Sequence, residues 1–327
     1  MNLNFQIKVL LLAFGITVVL SLFIIPILKK LKVGQNERDD GPQSHMRKQG
    51  TPTMGGIIMV ISIVVCTIGG FLYYTKQEAK VAENLIPLVL ASIGFGLIGF
   101  IDDFKKVVLK NTKGLRPMHK MLGLTVIAVA FTLYLNYALG MGTDIIIPFL
   151  KTSIELPIWF YIPFTVFVML AVTNAINLTD GIDGLATGIT TIILTTLTVI
   201  SIIFDIKEVT VFGSIAVGTC LGFLIFNLHR AKVFMGDTGS LMLGGVVAVI
   251  AIYLKMPLLL IMIAIIPVLE TISVMLQVMY YKKTGNRIFK MAPLHHHFEL
   301  LGWKENKVLV IFCSITLLVC IFSLYVI

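Results

Sequence analysis

Long apolar runs broken by short polar segments organise this chain. A helix that crosses a bilayer needs about 20 predominantly apolar residues. Ten stretches answer to that: about 7–28, 54–74, 85–101, 121–141, 157–176, 185–204, 209–227, 239–254, 256–281 and 307–327. The first does not read as a cleavable leader. It is long, only Lys8 precedes its core, and it runs into Pro26 and Lys29-Lys30 without a small-residue cleavage pattern. The ninth carries Pro267 and Glu270, which predicts a kink or tilt there. The count of ten turns on dividing 239–281 into two spans. No low-complexity linker, separate soluble domain or internal repeat interrupts the pattern. It predicts an all-α polytopic membrane protein of about ten transmembrane helices, one integral domain over 1–327.

Composition narrows the classes further. Hydrophobic residues make up 57% and charged residues 13%, with a mean hydropathy of +0.96. A soluble globular protein carries roughly 25% charged residues. Half that density cannot coat a water-soluble particle of this size, whereas lipid wets much of a membrane protein. Soluble, disordered and disulfide-rich secreted classes are excluded. Cys66, Cys220, Cys313 and Cys320 each lie in an apolar run without CxxC spacing, so they read as small buried residues.

In a soluble chain a net charge of +9 would suggest nucleic acid. Its distribution says otherwise. Alternate connections between spans form two sets. The set 29–53, 102–120, 177–184, 228–238 and 282–307 holds 20 of the 26 Lys and Arg. The other holds Lys8, Lys76, Lys80, Lys151, Lys207 and Lys255, balanced by six acids. The positive-inside tendency places the first set in the cytoplasm and both termini outside. Segment 177–184 has no basic residue and follows by parity alone. The excess charge therefore faces the cytoplasm and reads as topology, with no nucleic acid as partner.

The chemistry-bearing residues fall in the same set of loops. All six histidines, His45, His119, His229 and the triplet His295, His296 and His297, are there. Imidazoles suit phosphate binding or acid–base work near neutral pH, and a merely solvated loop is the alternative. Three adjacent histidines cannot all face one zinc ion. Asp102 and Asp103 close the third span. Adjacent carboxylates at a membrane boundary repel each other and call for a cation or a proton, unless they form a hydrated helix end. Asn174, Asn177, Asp180 and Asp183 recur at i+3 spacing, and Gly181 and Gly184 predict that the helix unwinds there. Asp237 sits between Gly236 and Thr238-Gly239. Thr238 or Ser240 is the expected cap of the next helix, whose N-terminus suits an anion; a plain N-cap Asp is the other reading. Oxygen ligands of this kind favour Mg²⁺ together with phosphate oxygens, which implies phosphoryl transfer at the membrane surface. GFGLIG at Gly94–Gly99 matches a dinucleotide fingerprint but lies inside an apolar span, so close helix packing is expected instead.

Five segments then acquire a shared meaning: HMRKQGTPTMGG (His45–Gly56), DDFKK (Asp102–Lys106), NAINLTDGIDGLA (Asn174–Ala186), FNLHRAKVFMGDTGSL (Phe226–Leu241) and MAPLHHHFELLGWKE (Met291–Glu305). In order, they resemble the phospho-N-acetylmuramoyl-pentapeptide transferase family, within the polyprenyl-phosphate N-acetylhexosamine-1-phosphate transferases. The resemblance covers essentially the whole chain. It implies ten transmembrane helices in a bacterial cytoplasmic membrane, a homodimer and dependence on Mg²⁺. The implied reaction moves phospho-N-acetylmuramoyl-pentapeptide from UDP to undecaprenyl phosphate, giving lipid I and UMP.

Residue by residue, the resemblance makes Asp102 and Asp103 acid–base or nucleophile candidates and Asp237 the metal ligand. It sets Asn174, Asn177, Asp180 and Asp183 near the nucleotide, and Asn227 and Phe234 around the uridine. Lys48, Lys106 and Lys120 match phosphate- or nucleotide-facing lysines, Thr53 lies in the PTMGG motif among the substrate-binding candidates, and His295, His296 and His297 match the family's histidine motif. Glu270 joins the candidates as an acid within a span. Arg230 departs from the family's usual HPA, which puts the local loop shape in doubt. Two routes fit: attack by an Asp, or Asp102 deprotonating the lipid phosphate for direct attack, the simpler step for so good a nucleophile. A UbiA-type prenyltransferase would need a DDxxD-like motif, and Asp102–Lys106 ends in Lys. A transporter would hold its charges near the midplane, with repeats.

Overall fold

A computed structural model describes residues 3–31, 50–109, 111 and 114–327. Among these residues twelve α-helices follow in order: α1 (Leu3–Lys30), α2 (Gly56–Gln77), α3 (Ala79–Val107), α4 (Pro117–Leu133), α5 (Ile158–Thr179), α6 (Leu185–Ile203), α7 (Lys207–Asn227), α8 (Gly236–Tyr253), α9 (Leu260–Ile263), α10 (Ile265–Thr284), α11 (Leu294–Leu300) and α12 (Glu305–Val326). Among the described residues, nine are long and apolar enough to cross a membrane: α1 to α8, with α4 running on through a π-helical turn at Tyr134–Ala138, and α12. The chain is therefore a multi-pass membrane protein.

The ninth expected span is broken. Segments Pro257–Ile263 and Ile265–Thr284 meet at 83°. A bend was expected here, but it falls at Ala264. Pro267 sits in the first turn of α10, where a missing N–H breaks no helical hydrogen bond. A small antiparallel hairpin, β1 (Asp144–Ile147) and β2 (Thr152–Glu155), interrupts the helical pattern. Only four residues per strand, one strand fully exposed, left no alternation for the sequence to display.

Helix α8 is the centre of the bundle. Nearly every residue in it is buried, and it packs against α3, α5, α2 and α6. It is apolar all round because it faces protein on every side. Small residues bring the helices together. A Cβ on Gly99 of α3 would run into the Asp237 carbonyl, and one on Gly96 would stand 3.0 Å from the Met242 side chain. The GFGLIG glycines thus do serve helix packing. Since lipid tails give no hydrophobic drive between helices, hydroxyls also bind them. Ser62 of α2 pairs with Thr17 of α1 at 2.6 Å and with Thr219 of α7 at 3.3 Å. The four cysteines are free and mostly buried, as their apolar settings predicted.

Candidate active site

Among the described residues, Asp102, Asp103, Lys106, Lys120, Asn177 and Asp237 meet at the start of α8. Asp103 explains why that start is so well fixed. Its carboxylate accepts the N–H of Asp237 at 3.1 Å, the N–H of Thr238 at 2.8 Å and the Thr238 hydroxyl at 2.6 Å. The first N–H groups of a helix have no partner within it and carry partial positive charge. Here a carboxylate from another helix supplies the partner. The expected caps act differently: Thr238 donates to Asp103, and the Ser240 hydroxyl turns back to the Gly236 carbonyl at 3.0 Å. The close approach at Gly99 is what lets α3 deliver Asp103 there.

Asp237 is thereby held on the first turn of α8 with its side chain among cations. Its Oδ2 accepts Lys106 Nζ at 2.9 Å and Lys120 Nζ at 3.0 Å, and its Oδ1 accepts Asn177 Nδ2 at 2.9 Å. The Asn177 amide also donates to Ser240 Oγ at 2.7 Å. Asp102 is buried one residue away from Asp103 but faces this cluster. It accepts Lys106 Nζ at 2.6 Å and the Leu115 N–H at 2.6 Å, with Lys120 Nζ at 3.8 Å. Two adjacent carboxylates thus have different surroundings: Asp103 secures the backbone of α8, and Asp102 shares its lysines with Asp237.

Asp180 caps α5 at the edge of the same group. Burial first, then the negative charges of Asp237, Asp103 and Asp183, push its carboxyl up to about 8. Carboxylates outweigh cations here, which suits a site that takes up a metal ion. Asp183 lies on the 180–184 turn, buried, and accepts His229 Nδ1 at 3.2 Å and the Ala231 N–H at 3.1 Å. Glu305 Oε2 stands 3.9 Å from the same His229 nitrogen. Among the described residues, Asp183, His229 and Glu305 are the group whose ligand atoms lie within 4.8 Å of one another, close enough to share a metal ion. Glu305 was not singled out from the sequence. It closes the Met291–Glu305 segment and reaches the group because α12 begins there.

The remaining candidates divide. The Asn174 amide is turned to its own helix, donating to the Leu170 carbonyl at 2.8 Å. Buried Asn227 accepts the Thr187 hydroxyl at 2.8 Å and donates to the Val233 carbonyl at 3.0 Å, so it braces the loop leading to α8. Phe234 is fixed through its backbone, its N–H on the Pro52 carbonyl and its own carbonyl on the Gly55 N–H, both at 2.8 Å. That clasp ties the 52–55 segment to the site. Beside it Thr53 Oγ1 is buried with no hydrogen-bond partner among the described residues. Lys48 lies outside the described residues.

The histidine triplet occupies the short helix α11, where successive side chains point roughly 100° apart. His296 Nδ1 meets Glu299 Oε2 at 2.8 Å, and His297 Nδ1 accepts the Lys290 N–H at 3.1 Å. His295 is fully buried, with Nδ1 3.1 Å from Glu270 Oε1. Glu270 also takes the N–H groups of Leu294 and His295 at the start of α11. It stands behind the histidine, enclosed, rather than open to a ligand. Gln277 was passed over in the sequence. It shapes the preceding loop by bonding the N–H groups of Ile288 and Phe289 and the Phe289 carbonyl.

Known proteins resemble this chain in sequence. A family model described as glycosyl transferase family 4 matches residues 85–255. A phospho-N-acetylmuramoyl-pentapeptide-transferase of Acetivibrio thermocellus is 46% identical over 326 residues, 99% of this chain and 96% of that protein. One from Clostridium botulinum (strain Alaska E43 / Type E3) is 48% identical over 95% of this chain and 93% of its own length. One from Bacillus subtilis (strain 168) is 44% identical over 97% and 96%. With near-complete coverage on both sides, and the matched family model spanning the helices that carry Asp102, Asp103, Asn177, Asp180 and Asp237, the chain belongs to the phospho-N-acetylmuramoyl-pentapeptide transferase family.

Proposed function

We propose that this chain transfers phospho-N-acetylmuramoyl-pentapeptide from UDP to undecaprenyl phosphate, releasing UMP and forming lipid I for peptidoglycan synthesis. The observation that carries the reading is the Asp237 cluster at the start of α8, with two lysines on one carboxylate oxygen. Both substrates are anions, and so is the departing UMP. Lys106 and Lys120 are placed to offset that charge when phosphate oxygens replace Asp237 as their partners.

In the balanced step, a lipid phosphate oxygen attacks the phosphorus bonded to the sugar, a new P–O–P bridge forms, and the bond to UMP breaks. Asp102, beside the lysines, takes the proton of the lipid phosphate if it arrives protonated. Asp103 holds Asp237 through the backbone of α8 and keeps all its hydrogen bonds through the step. Direct attack needs no covalent enzyme intermediate. UMP release from enzyme and sugar nucleotide without lipid acceptor would argue against it.

Asp237 is the residue that would hold Mg²⁺, with Asp102 and Asp180 as the neighbouring carboxylates. The Asp180 carboxyl is raised first by burial and then by the negative charges of Asp237, Asp103 and Asp183, which a bound cation would offset. Bound there, Mg²⁺ supplies charge neutralisation on the diphosphate. Asp183 and Asn227 shape the nucleotide side, and Phe234 is the aromatic candidate for the uracil. The site end faces the cytoplasm, where 20 of the 26 basic residues fall. Both termini lie outside, the bilayer is the bacterial cytoplasmic membrane, and the working unit is a homodimer.

The test is detergent-solubilised protein with UDP-MurNAc-pentapeptide, undecaprenyl phosphate and Mg²⁺, followed by UMP release and lipid I formation. Turnover that disappears with EDTA and returns with Mg²⁺ is expected. Unchanged turnover in EDTA would sink the metal assignment, and no lipid-linked product would sink the function.

A further inference from the structure

His295 reads from sequence as a group that handles protons or substrate. Its surroundings argue for a different task. The imidazole is 0% exposed. Glu270 Oε2 accepts the Leu294 N–H at 2.5 Å, and Oε1 accepts the His295 N–H at 3.2 Å. A carboxylate engaged in this way only accepts, so the complement at Oε1 is an Nδ1–H donor 3.1 Å away. That leaves Nε2 as the remaining polar atom. It is buried, with no hydrogen-bond partner among the described residues.

What Nε2 does touch is Gly181. A Cβ built there would run into the ring, with Nε2, Cε1 and Cδ2 as its nearest neighbours. Gly181 does not adopt a left-handed φ. Backbone conformation therefore does not require glycine at this place; the space filled by the imidazole does. Gly181 lies between Asp180 and Asp183, so the ring is wedged behind the turn that presents both carboxylates. Glu270 fixes the ring from α10, and α11 carries it.

We propose that the Glu270–His295 pair is a positioning clamp, which locks α11 against the Asp180–Gly184 turn so that Asp180 and Asp183 meet the sugar nucleotide and its metal ion in one geometry. His295 is then a positioning residue. The proposal deepens the transferase reading, because it assumes that the turn faces that substrate.

Two measurements on the full-length protein in detergent test it. The first is thermal unfolding of Gly181→Ala, His295→Ala and the double variant. The added methyl has room only where the ring is gone. The clamp predicts that Gly181→Ala lowers Tm sharply and that the double variant is no less stable than Gly181→Ala alone. Simple addition of the two losses would overturn the contact. This arm needs no turnover, so it stands apart from any failure of the transferase reading. The second is kinetics of His295→Asn and His295→Gln. An asparagine amide places nitrogen near the Nδ1 position and keeps the Glu270 bond, whereas glutamine places it near Nε2. Loss of a supporting group behind a site typically costs about 10–100-fold. The expected result is a His295→Ala loss of that order, mostly as a higher KM for UDP-MurNAc-pentapeptide. His295→Asn should recover most of it with an unchanged pH–rate profile. If His295→Asn is as inactive as His295→Ala, or loses one limb of that profile, Nε2 moves a proton and the clamp is wrong.

Discussion

The two ends of this bundle both carry acids and bases, yet they are wired differently. At the far end several polar groups pair off. Lys207 Nζ meets Glu78 Oε2 at 2.7 Å, Lys255 Nζ meets Asp144 Oδ1 at 2.5 Å, and Glu208 accepts Asn84 and the Tyr253 hydroxyl at 3.0 and 2.6 Å. Each group is satisfied by its neighbour. At the site end Asp237 and Asp102 share Lys106 and Lys120, Asp180 is held up at about 8, and Thr53 Oγ1 is buried without a partner among the described residues. Polar groups that end a helix neatly belong to architecture. Polar groups that crowd, compete and remain unmatched are waiting for something that the protein alone does not supply.

That contrast can be broken most severely at Asp237. Asp237→Asn keeps the shape of the side chain but removes the charge that two lysines meet. Turnover should fall by about 10²–10³-fold with Tm little changed, read in the UMP-release assay. Wild-type turnover in this variant would mean that the crowded end is only architecture.

Gly99→Ala comes next. Its methyl would press on the backbone of Asp237, and overpacking of this kind costs about 1–3 kcal/mol. Because the start of α8 must shift, turnover should fall with stability, by about tenfold or more for a misplacement of this kind. A stable, fully active Gly99→Ala would show that α8 need not be held against α3 for chemistry. Lys120→Ala should have a smaller effect. Lys106 remains on the same Asp237 oxygen, so about a tenfold rise in KM for the sugar nucleotide is expected. A fall in kcat with KM unchanged would move Lys120 from binding to transition-state stabilisation.

How much of this could be read in the chain follows from the same contrast. Spans were legible because lipid imposes a length and an apolar composition on each. The GFGLIG glycines were legible as packing residues because a dinucleotide fold has no place inside an apolar run. Asp102, Asp237 and Asn177 were legible as neighbours-to-be because carboxylates at span ends need a reason. The division of labour between Asp102 and Asp103 was hidden: which of two adjacent carboxylates faces α8 depends on helix rotation. Glu305 and His229 were hidden as partners of Asp183, since they come together only across three elements. Glu270 was noticed for being an acid in a span, but its role as an anchor for α11 required the position of Leu294 and His295. The hairpin at Asp144–Glu155 was too short to leave a period.

At the far end the effects should shrink to stability alone. Glu208→Gln weakens one half-buried acceptor of two hydrogen bonds, which predicts a loss of about 1 kcal/mol and unchanged turnover. Lys207→Ala removes one member of an exposed pair, with side chains 36% and 46% accessible. Solvent and salt already screen such a pair, and holding two long side chains together costs entropy. The expected result is no resolvable change in Tm between low and high salt and no change in turnover. A clear loss of activity in Lys207→Ala would be the more informative failure. It would mean that the end which satisfies itself is coupled along α7 to the loop that Asn227 braces, and that the two ends are one device rather than two.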